Sequence, residues 1–175
     1  LSRVLAPAGE PLSIGETKAY LRVDHDEDDI LIGDFIVAAR MSAEHWMKRS
    51  LMEQSWKLAY DDYIVEEINL PMGPVSAVSS VNVISRSGGS QAISSAVYYL
   101  NAAKNALILD TTIVGFRIEI TYTTGYGEAT DIPRPIKQGL LAHVAAMYDN
   151  RGEFNDMSMP EQTMRLYMPF REVCL

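Results

Sequence analysis

The sequence of 175 residues has little cysteine and no long apolar run. Its single cysteine, Cys174, excludes an internal disulfide framework and a zinc site built from several cysteines. The apolar runs are a handful of residues long, far short of the ~20 that span a bilayer, so we expect no membrane span and no membrane partner. The chain starts at Leu1 rather than Met, and no basic, apolar leader follows, so the sequence predicts no secretory targeting.

Basic side chains are also in the minority. The chain carries 15 lysines and arginines against 23 aspartates and glutamates, a net charge of −8. This balance disfavours non-specific binding to phosphate backbones, which takes a basic patch, although it leaves room for a local basic rim. The overall composition, 47% hydrophobic and 22% charged, is ordinary for a globular protein and excludes wholesale disorder.

The first 50 residues predict two helices. Ser13 and Glu16 have the spacing of a capping box at the start of a short helix that runs from Ile14 to about Arg22. Acidic side chains crowd positions 24–29, where they favour the positive end of a second helix that runs to about Arg49. The second helix has apolar residues close to the 3.6-residue period, at Ile32, Phe35, Ile36, Ala39, Ala43, Trp46 and Met47.

Residues 54–125 predict strands, because apolar and polar residues alternate there. The candidates are Gln54–Tyr60, Ile68–Leu70, Val75–Ile84, Val97–Leu100, Ala106–Leu109 and Phe116–Tyr122. In the last of them, Phe116, Ile118, Ile120 and Tyr122 share one face, and the polar residues between them share the other.

The chain returns to helix over residues 131–150, with Pro133 and Pro135 at the entry, where proline is tolerated. Ser158 and Glu161 indicate the start of a last short helix, and Met168-Pro169 should break it. The helical ends can bury their apolar faces only against each other. The sequence therefore predicts an α+β protein with a single domain over residues 1–175. In it, N-terminal helices (13–50) and C-terminal helices and tail (131–175) form a small bundle, and an antiparallel β-rich region (54–125) is inserted.

No recognisable catalytic or metal-binding set is present. The histidines His25, His45 and His143 do not lie three or four residues apart, so no helical zinc pair exists. No Gly-x-Ser-x-Gly motif occurs, and Gly125-Tyr126-Gly127 lacks the rest of a phosphate loop, so it indicates a turn. We therefore predict that the protein is not an enzyme and that it has no catalytic residue and no cofactor.

The acidic stretch deserves comparison with a calcium loop, because Asp24, Asp26 and Asp28 alternate as in its first half. The loop pattern then needs glycine where Asp29 stands and an acid where Phe35 stands. Neither position has the residue that the calcium loop requires. We therefore interpret the stretch as a solvated helix start, and we predict no metal.

Apolar side chains accumulate near the C-terminal end, at Met157, Met159, Met164, Tyr167, Met168, Phe170 and Val173. Methionine-rich segments pack adaptably and are common at binding surfaces. Two interpretations stay open: these residues form a binding surface, or they cover the core of the bundle.

Four stretches, in order, resemble the head–tail connector (head-completion or adaptor) proteins of tailed phages. Residues 12–24 are similar to the family's opening "LS-x-x-E-x-K-x-x-LRVD", and the acid-rich loop and long helix through Arg49 follow it. Gln54-Ser55-Trp56 resembles the first strand, and residues 122–138 resemble the "GYG…D-x-P-x-P-x-[KR]-Q" entry to the C-terminal helix. One departure is the family's helix end Thr-Gly-Arg, where this sequence has Met47-Lys48-Arg49-Ser50.

The resemblance implies a structural virion protein of a phage or prophage. Such proteins form a ring of about a dozen copies under the portal, join the DNA-filled head to the tail and extend the DNA channel. The implied partners are other copies of the chain, the portal protein, a tail or stopper connector, and passing DNA that is not bound sequence-specifically. The implied location is the head–tail interface of the virion, and the host cytoplasm during assembly.

The resemblance also points to the C-terminal segment as the part that reaches the portal. The candidate portal-binding residues are Arg165, Tyr167, Met168, Phe170, Arg171 and Val173. Because Met168-Pro169 interrupts the helix, we expect Phe170 and Val173 to extend outward; the alternative is that the segment folds back and closes the core.

The residues are also compatible with two other functions. A generic peptide- or glycan-binding module would use an aromatic face made of Tyr60, Tyr63, Tyr98 and Tyr99, with the helices as its scaffold. A small hydrolase would depend on His143.

Overall fold

The computed structural model describes residues 1–61, 67–110, 115–151 and 159–172. It divides into two compact units: unit 1 comprises Leu1–Ala8 and Glu53–Tyr126, and unit 2 comprises Gly9–Met52 and Gly127–Leu175. Helices occupy unit 2 and antiparallel sheets occupy unit 1, so the predicted α+β class is confirmed. Within the described residues, no helix combines the length and the apolarity that crossing a bilayer requires.

Unit 2 is the helical bundle. Its helices are α1 (Ile14–Leu21), α2 (Asp29–Met47), α3 (Arg134–Asp149) and α4 (Glu161–Tyr167). Helix α3 contacts all three others, so helices from both ends of the sequence share one core, as predicted. The core includes the predicted apolar positions Ile32, Phe35, Ile36, Ala39, Ala43 and Met47 of α2, together with Ile136, Leu140 and Val144 of α3.

The ends of α1 and α2 follow local chemistry. Ser13 caps α1, because its side-chain oxygen accepts a hydrogen bond from the Glu16 backbone N–H at 3.1 Å. Helix α2 ends at Met47, two residues earlier than predicted. Lys48 then takes the left-handed conformation with φ 57°, and its N–H donates to the Glu44 carbonyl. Glycine is the residue that adopts this conformation without steric cost, so a lysine here is strained.

Unit 1 contains two antiparallel sheets. Its strands are β1 (Ser2–Leu5), β2 (Gln54–Asp61), β3 (Glu67–Asn69), β4 (Val75–Ile84), β5 (Ser90–Ala92), β6 (Tyr98–Leu100), β7 (Ala106–Leu109) and β8 (Arg117–Thr124). One sheet has the order β1-β2-β8-β4-β5, and the other has the order β3-β7-β6. Residues of both sheets form one apolar core.

The face predicted for β8 is confirmed within the strand, whereas Phe116, its fourth predicted member, precedes the strand and is half-buried. Ile118, Ile120 and Tyr122 are buried in the core, and Arg117 and Glu119 alternate with them. On that other face the charges pair across strands: Arg117 bonds Asp61 of β2 at 2.5 Å, and Lys57 of β2 lies 2.6 Å from Glu119. The sheet therefore has one apolar face and one polar, charge-paired face.

Candidate partner-binding segment

The C-terminal segment singled out by the sequence forms a helix and a turn, and we call residues 160–172 the α4 segment. Helix α4 starts after Pro160, whose missing N–H is not needed in the first turn. It ends at Tyr167, and a 3-10 helix, Met168–Phe170, continues the chain with Pro169 inside it. The helix break predicted at Met168-Pro169 is therefore confirmed. The capping residue predicted for α4, Ser158, lies outside the described residues.

One side of α4 packs into the bundle. The side chains of Thr163 and Tyr167 are fully buried. The Tyr167 ring lies against Gly139 of α3, and its centroid is 6.3 Å from that of Trp46 on α2. Tyr167 therefore anchors α4 to both long helices, and it is a core residue whose side chain is not available to a partner.

The end of the segment is held by α2. The N–H of Glu172 donates to the carbonyl of Met47 at 2.9 Å. The Arg171 guanidinium lies over the Trp46 ring, 5.0 Å from its centroid, in cation–π geometry. The expectation that the chain extends outward after Pro169 is therefore wrong as far as Glu172: a proline ends an α-helix but does not prevent the following residues from turning back. Val173 lies outside the described residues.

The opposite side of the segment faces solvent. Met168 is 60% exposed, and Arg165 is exposed and pairs with Glu161 one turn earlier at 2.6 Å. Arg171 is exposed and Phe170 is half-buried. Four of the six candidate portal-binding residues therefore lie at the surface of one short segment whose inner side is fixed.

Burial changes the titration of two groups in the segment. It raises the pKa of the Tyr167 phenol, because the phenolate would lose its hydration. It also raises the pKa of the Glu172 carboxyl, and the nearby charge of Arg49 partly opposes this. Tyr167 therefore stays neutral. The exposed charged side chains of the segment are those of Glu161, Arg165 and Arg171.

The acidic stretch forms structural contacts. Lys18 Nζ lies 2.5 Å from an oxygen of Asp26 and 2.8 Å from one of Asp29, and the Tyr148 hydroxyl donates to Asp28 at 2.5 Å. The hydrogen bond to Lys18 lowers the pKa of Asp26, and the hydrogen bond to Asp28 raises the pKa of Tyr148. Over the part of the chain that the structure describes, no three His, Cys, Asp or Glu residues are placed to hold a metal ion.

The histidines have separate environments. His143 is buried in α3, consistent with a packed core position, whereas His45 is exposed on α2. His25 Nδ1 lies 2.8 Å from a Glu27 oxygen in the acidic stretch.

The aromatic face considered for a peptide or glycan does not form as predicted. Tyr98 and Tyr99 are neighbours on β6, so their side chains point to opposite faces: Tyr98 packs against the core and Tyr99 is exposed. Tyr60 belongs to the other sheet, on β2, and Tyr63 lies outside the described residues.

Of the two residues that receive Tyr167, Trp46 was predicted as part of the apolar face of α2, whereas Gly139 was not predicted. A glycine inside an otherwise good helix is the signal that could have indicated Gly139, because helix interiors disfavour glycine unless something approaches the backbone closely.

Solved structures of gene transfer agent particles contain chains with the same fold. A chain in the neck of an empty gene transfer agent particle, computed with C6 symmetry, has a TM-score of 0.81 and 22% identity, with 99% of this chain and 96% of that chain covered. A chain in the virion of the native gene transfer agent particle has a TM-score of 0.82 and 21% identity, with 99% of this chain and 96% of that chain covered. A chain in the neck of the native particle, computed with C12 symmetry, has a TM-score of 0.70 and 21% identity, with 98% of this chain and 97% of that chain covered.

No curated protein matches the sequence significantly. Residues 12–98 match the family described as phage gp6-like head–tail connector protein. This range holds the opening motif, the long helix and the first strand of the sequence resemblance, whereas the stretch over residues 122–138 lies outside it. The chain belongs to the phage gp6-like head–tail connector family, whose members are head–tail connector proteins.

Proposed function

We propose that this chain is one copy of a closed ring in the neck of a phage-like particle. In the ring it binds the portal protein through the outer side of the α4 segment and binds the next connector or tail component elsewhere. It acts there as a structural part, without catalysis. The observation that carries the proposal is the two-sided α4 segment, whose inner side is anchored by Tyr167 while Met168 and Arg165 face solvent.

Cyclic symmetry supports the ring. The chains with this fold come from necks computed with C6 and C12 symmetry, both of which are cyclic. Many weak contacts to one portal reinforce each other, because the copies of a ring bind together. A single copy therefore needs only a small binding surface.

The chemistry of the α4 segment suits such a contact. Met168 and Phe170 offer apolar surface that adapts to a partner, and Arg165 and Arg171 can meet acidic groups on it. Because Tyr167 and the Glu172 backbone already hold the segment in place, binding costs little conformational entropy.

The negative charge of the chain suits a DNA channel. With a net charge of −8, a ring of many copies repels the phosphate backbone and lets the duplex slide without sequence-specific binding.

The proposed portal contact is tested by measuring how strongly the Met168→Asp variant binds portal protein. Portal protein is immobilised, and binding of the wild type and of the variant is compared by surface plasmon resonance. Because Met168 is exposed, we expect an unchanged melting temperature but affinity at least about tenfold weaker, equivalent to about 1.4 kcal/mol per site.

Tyr99→Asp is the matched control. Tyr99 is exposed to a similar degree but lies on β6 of unit 1, so this variant should bind portal as the wild type does. Normal binding by Met168→Asp would exclude the α4 segment as the portal contact. Absence of binding by the wild type would overturn portal binding altogether.

A further inference from the structure

Helix α2 carries an apolar stripe that unit 2 leaves uncovered. Ile30 is 84% exposed and Met41 51%, and Val37 between them is half-buried. The spacing 30, 34, 37, 41 places these residues and Asp34 on one face of the helix. We call Ile30, Asp34, Val37 and Met41 the α2 stripe. Single exposed apolar residues are ordinary, but a row along one helical face is typical of a contact surface.

A second surface of unit 2 is formed by α1 and α3. Tyr20 of α1 is exposed, and its hydroxyl lies 3.4 Å from the side-chain amide of Gln138 on α3. Arg134 is exposed one turn before Gln138, on the same face of α3. We call Tyr20, Arg134 and Gln138 the α1–α3 surface.

The two surfaces have opposite unpaired charges. Asp34 on the α2 stripe is exposed, and no side chain among residues 1–61, 67–110, 115–151 and 159–172 forms an ion pair with it. The same holds for Arg134 on the α1–α3 surface. The neighbouring charges behave differently, since Glu16 and Lys137 are paired at 3.3 Å and Lys18 pairs with two aspartates.

We propose that the α2 stripe of one copy docks on the α1–α3 surface of the next copy, with Asp34 facing Arg134. This proposal rests on the ring proposed above. A ring of more than two copies is built from head-to-tail contacts, so each copy must carry two different, complementary surfaces. The aromatic ring of Tyr20 supplies contact area for Met41, and the ion pair fixes the register of neighbouring copies rather than the affinity.

Charge reversal tests the pairing. Asp34→Arg and Arg134→Asp each place like charges opposite each other at every contact, so we expect each variant alone to lose rings. The double variant again places opposite charges at each contact, so it should form rings. The readout is negative-stain microscopy together with light-scattering mass, with concentrated protein and with portal added. Asp110→Arg, at an exposed acid of unit 1, is the control and should form rings.

The outcomes separate the two proposals. If the wild type forms no ring even with portal, the ring itself is wrong. If the wild type forms rings and the single variants do too, the ring stands and this contact is wrong. If both single variants and the double variant stay monomeric, Asp34 does not pair with Arg134.

Cross-linking tests the direction of the contact independently. In a Cys174→Ser background, Met41→Cys is mixed with Tyr20→Cys and treated with a short bis-maleimide. Head-to-tail docking gives covalent dimers in the mixture and a ladder of higher oligomers when both substitutions are in one chain. Dimers formed by Met41→Cys alone, with no ladder, would show that two α2 stripes face each other and would overturn the proposal.

Discussion

The ring of Tyr167 occupies the space in which a side chain at position 139 would lie. A Cβ atom built on Gly139 falls 2.9 Å from Cζ of Tyr167 and 3.1 Å from its hydroxyl oxygen, distances that real Cβ atoms rarely or never show. The absent side chain is thus what lets α4 approach α3. This contact also fixes the segment to which we assign portal binding.

Gly139→Ala is therefore expected to destabilise unit 2, because the methyl group forces the buried Tyr167 ring to move. Inserting a methyl group into a packed core costs about 1–3 kcal/mol. Alanine's higher helix propensity returns roughly 1 kcal/mol, so the net loss of stability reaches about 2 kcal/mol. The free energy of unfolding, measured by urea titration, checks this.

Gly33→Ala is the matched control, since Gly33 also lies inside a helix, α2, and no described atom beyond the local helix backbone lies within 4 Å of the place its Cβ would take. That substitution should be stabilising by about 0.5–1 kcal/mol, the propensity effect alone. Equal effects of the two substitutions would contradict the packing described for Tyr167.

Tyr167→Phe is expected to be neutral or slightly stabilising. The hydroxyl of Tyr167 is buried, and within the part of the chain that the structure describes it has no hydrogen-bond partner. Leaving a buried polar group unpaired costs about 1–3 kcal/mol, so removing it should not cost stability. A clear loss of stability, measured by thermal unfolding, would indicate that the hydroxyl is bonded.

The same substitution should change the response to alkali. The ordinary pKa of tyrosine is 10.0, and burial raises it in the folded protein. Above pH 10 the unfolded chain therefore releases this proton more readily than the folded chain, and stability is lost as the pH rises; below pH 10 both states keep it. The stability difference between Tyr167→Phe and the wild type should widen above pH 10, in favour of the variant. A difference that stays constant would contradict this.

Arg40→Ala is expected to be strongly destabilising. Arg40 is 5% exposed and bonds both oxygens of Glu10, at 2.7 and 3.0 Å, and one oxygen of Glu44 at 3.0 Å. The other oxygen of Glu44 accepts the backbone N–H of Leu51 at 2.8 Å. Removing one partner of a buried ion pair costs about 3–5 kcal/mol, because the remaining charge is left without compensation.

Arg165→Ala removes the same kind of pair from the surface. Arg165 and Glu161 are also four residues apart on a helix, but both side chains are about three-quarters exposed. Exposed pairs of this type contribute about 0.3–0.5 kcal/mol, so the melting temperature should hardly change. Similar losses in both variants would show that burial does not govern the strength of these pairs.

Elements with a strong apolar period were predictable from the sequence. The helices of unit 2 and strands such as β4 and β7 lie where periodicity placed them, because each buries one face. The two edge strands β1 and β5 were missed. All their residues are exposed, so no alternation marks them, and only their neighbours' backbone groups determine that they pair.

The outer and inner sides of the α4 segment were not separable from the sequence. Tyr167 and Met168 are adjacent apolar residues, yet one is fully buried and the other 60% exposed. What separates them is the partner across the helix pair, Gly139, which is 28 positions away in the sequence. The many apolar residues near the C-terminal end indicated a binding surface or a core segment, but only the packing shows which of these residues a partner can contact.

Lys48→Gly should stabilise the protein, because Lys48 is the left-handed residue that follows α2. Lys48 has φ 57°, and a side chain makes this conformation unfavourable by roughly 1–2 kcal/mol, whereas glycine adopts it freely but loses more entropy on folding. We expect a net gain of about 0.5–1 kcal/mol in the free energy of unfolding. Lys48→Ala is the control, because it removes the charged side chain but keeps the Cβ that causes the strain. If alanine stabilises as much as glycine does, the side-chain charge rather than the backbone conformation is responsible, and the strain described for Lys48 is wrong.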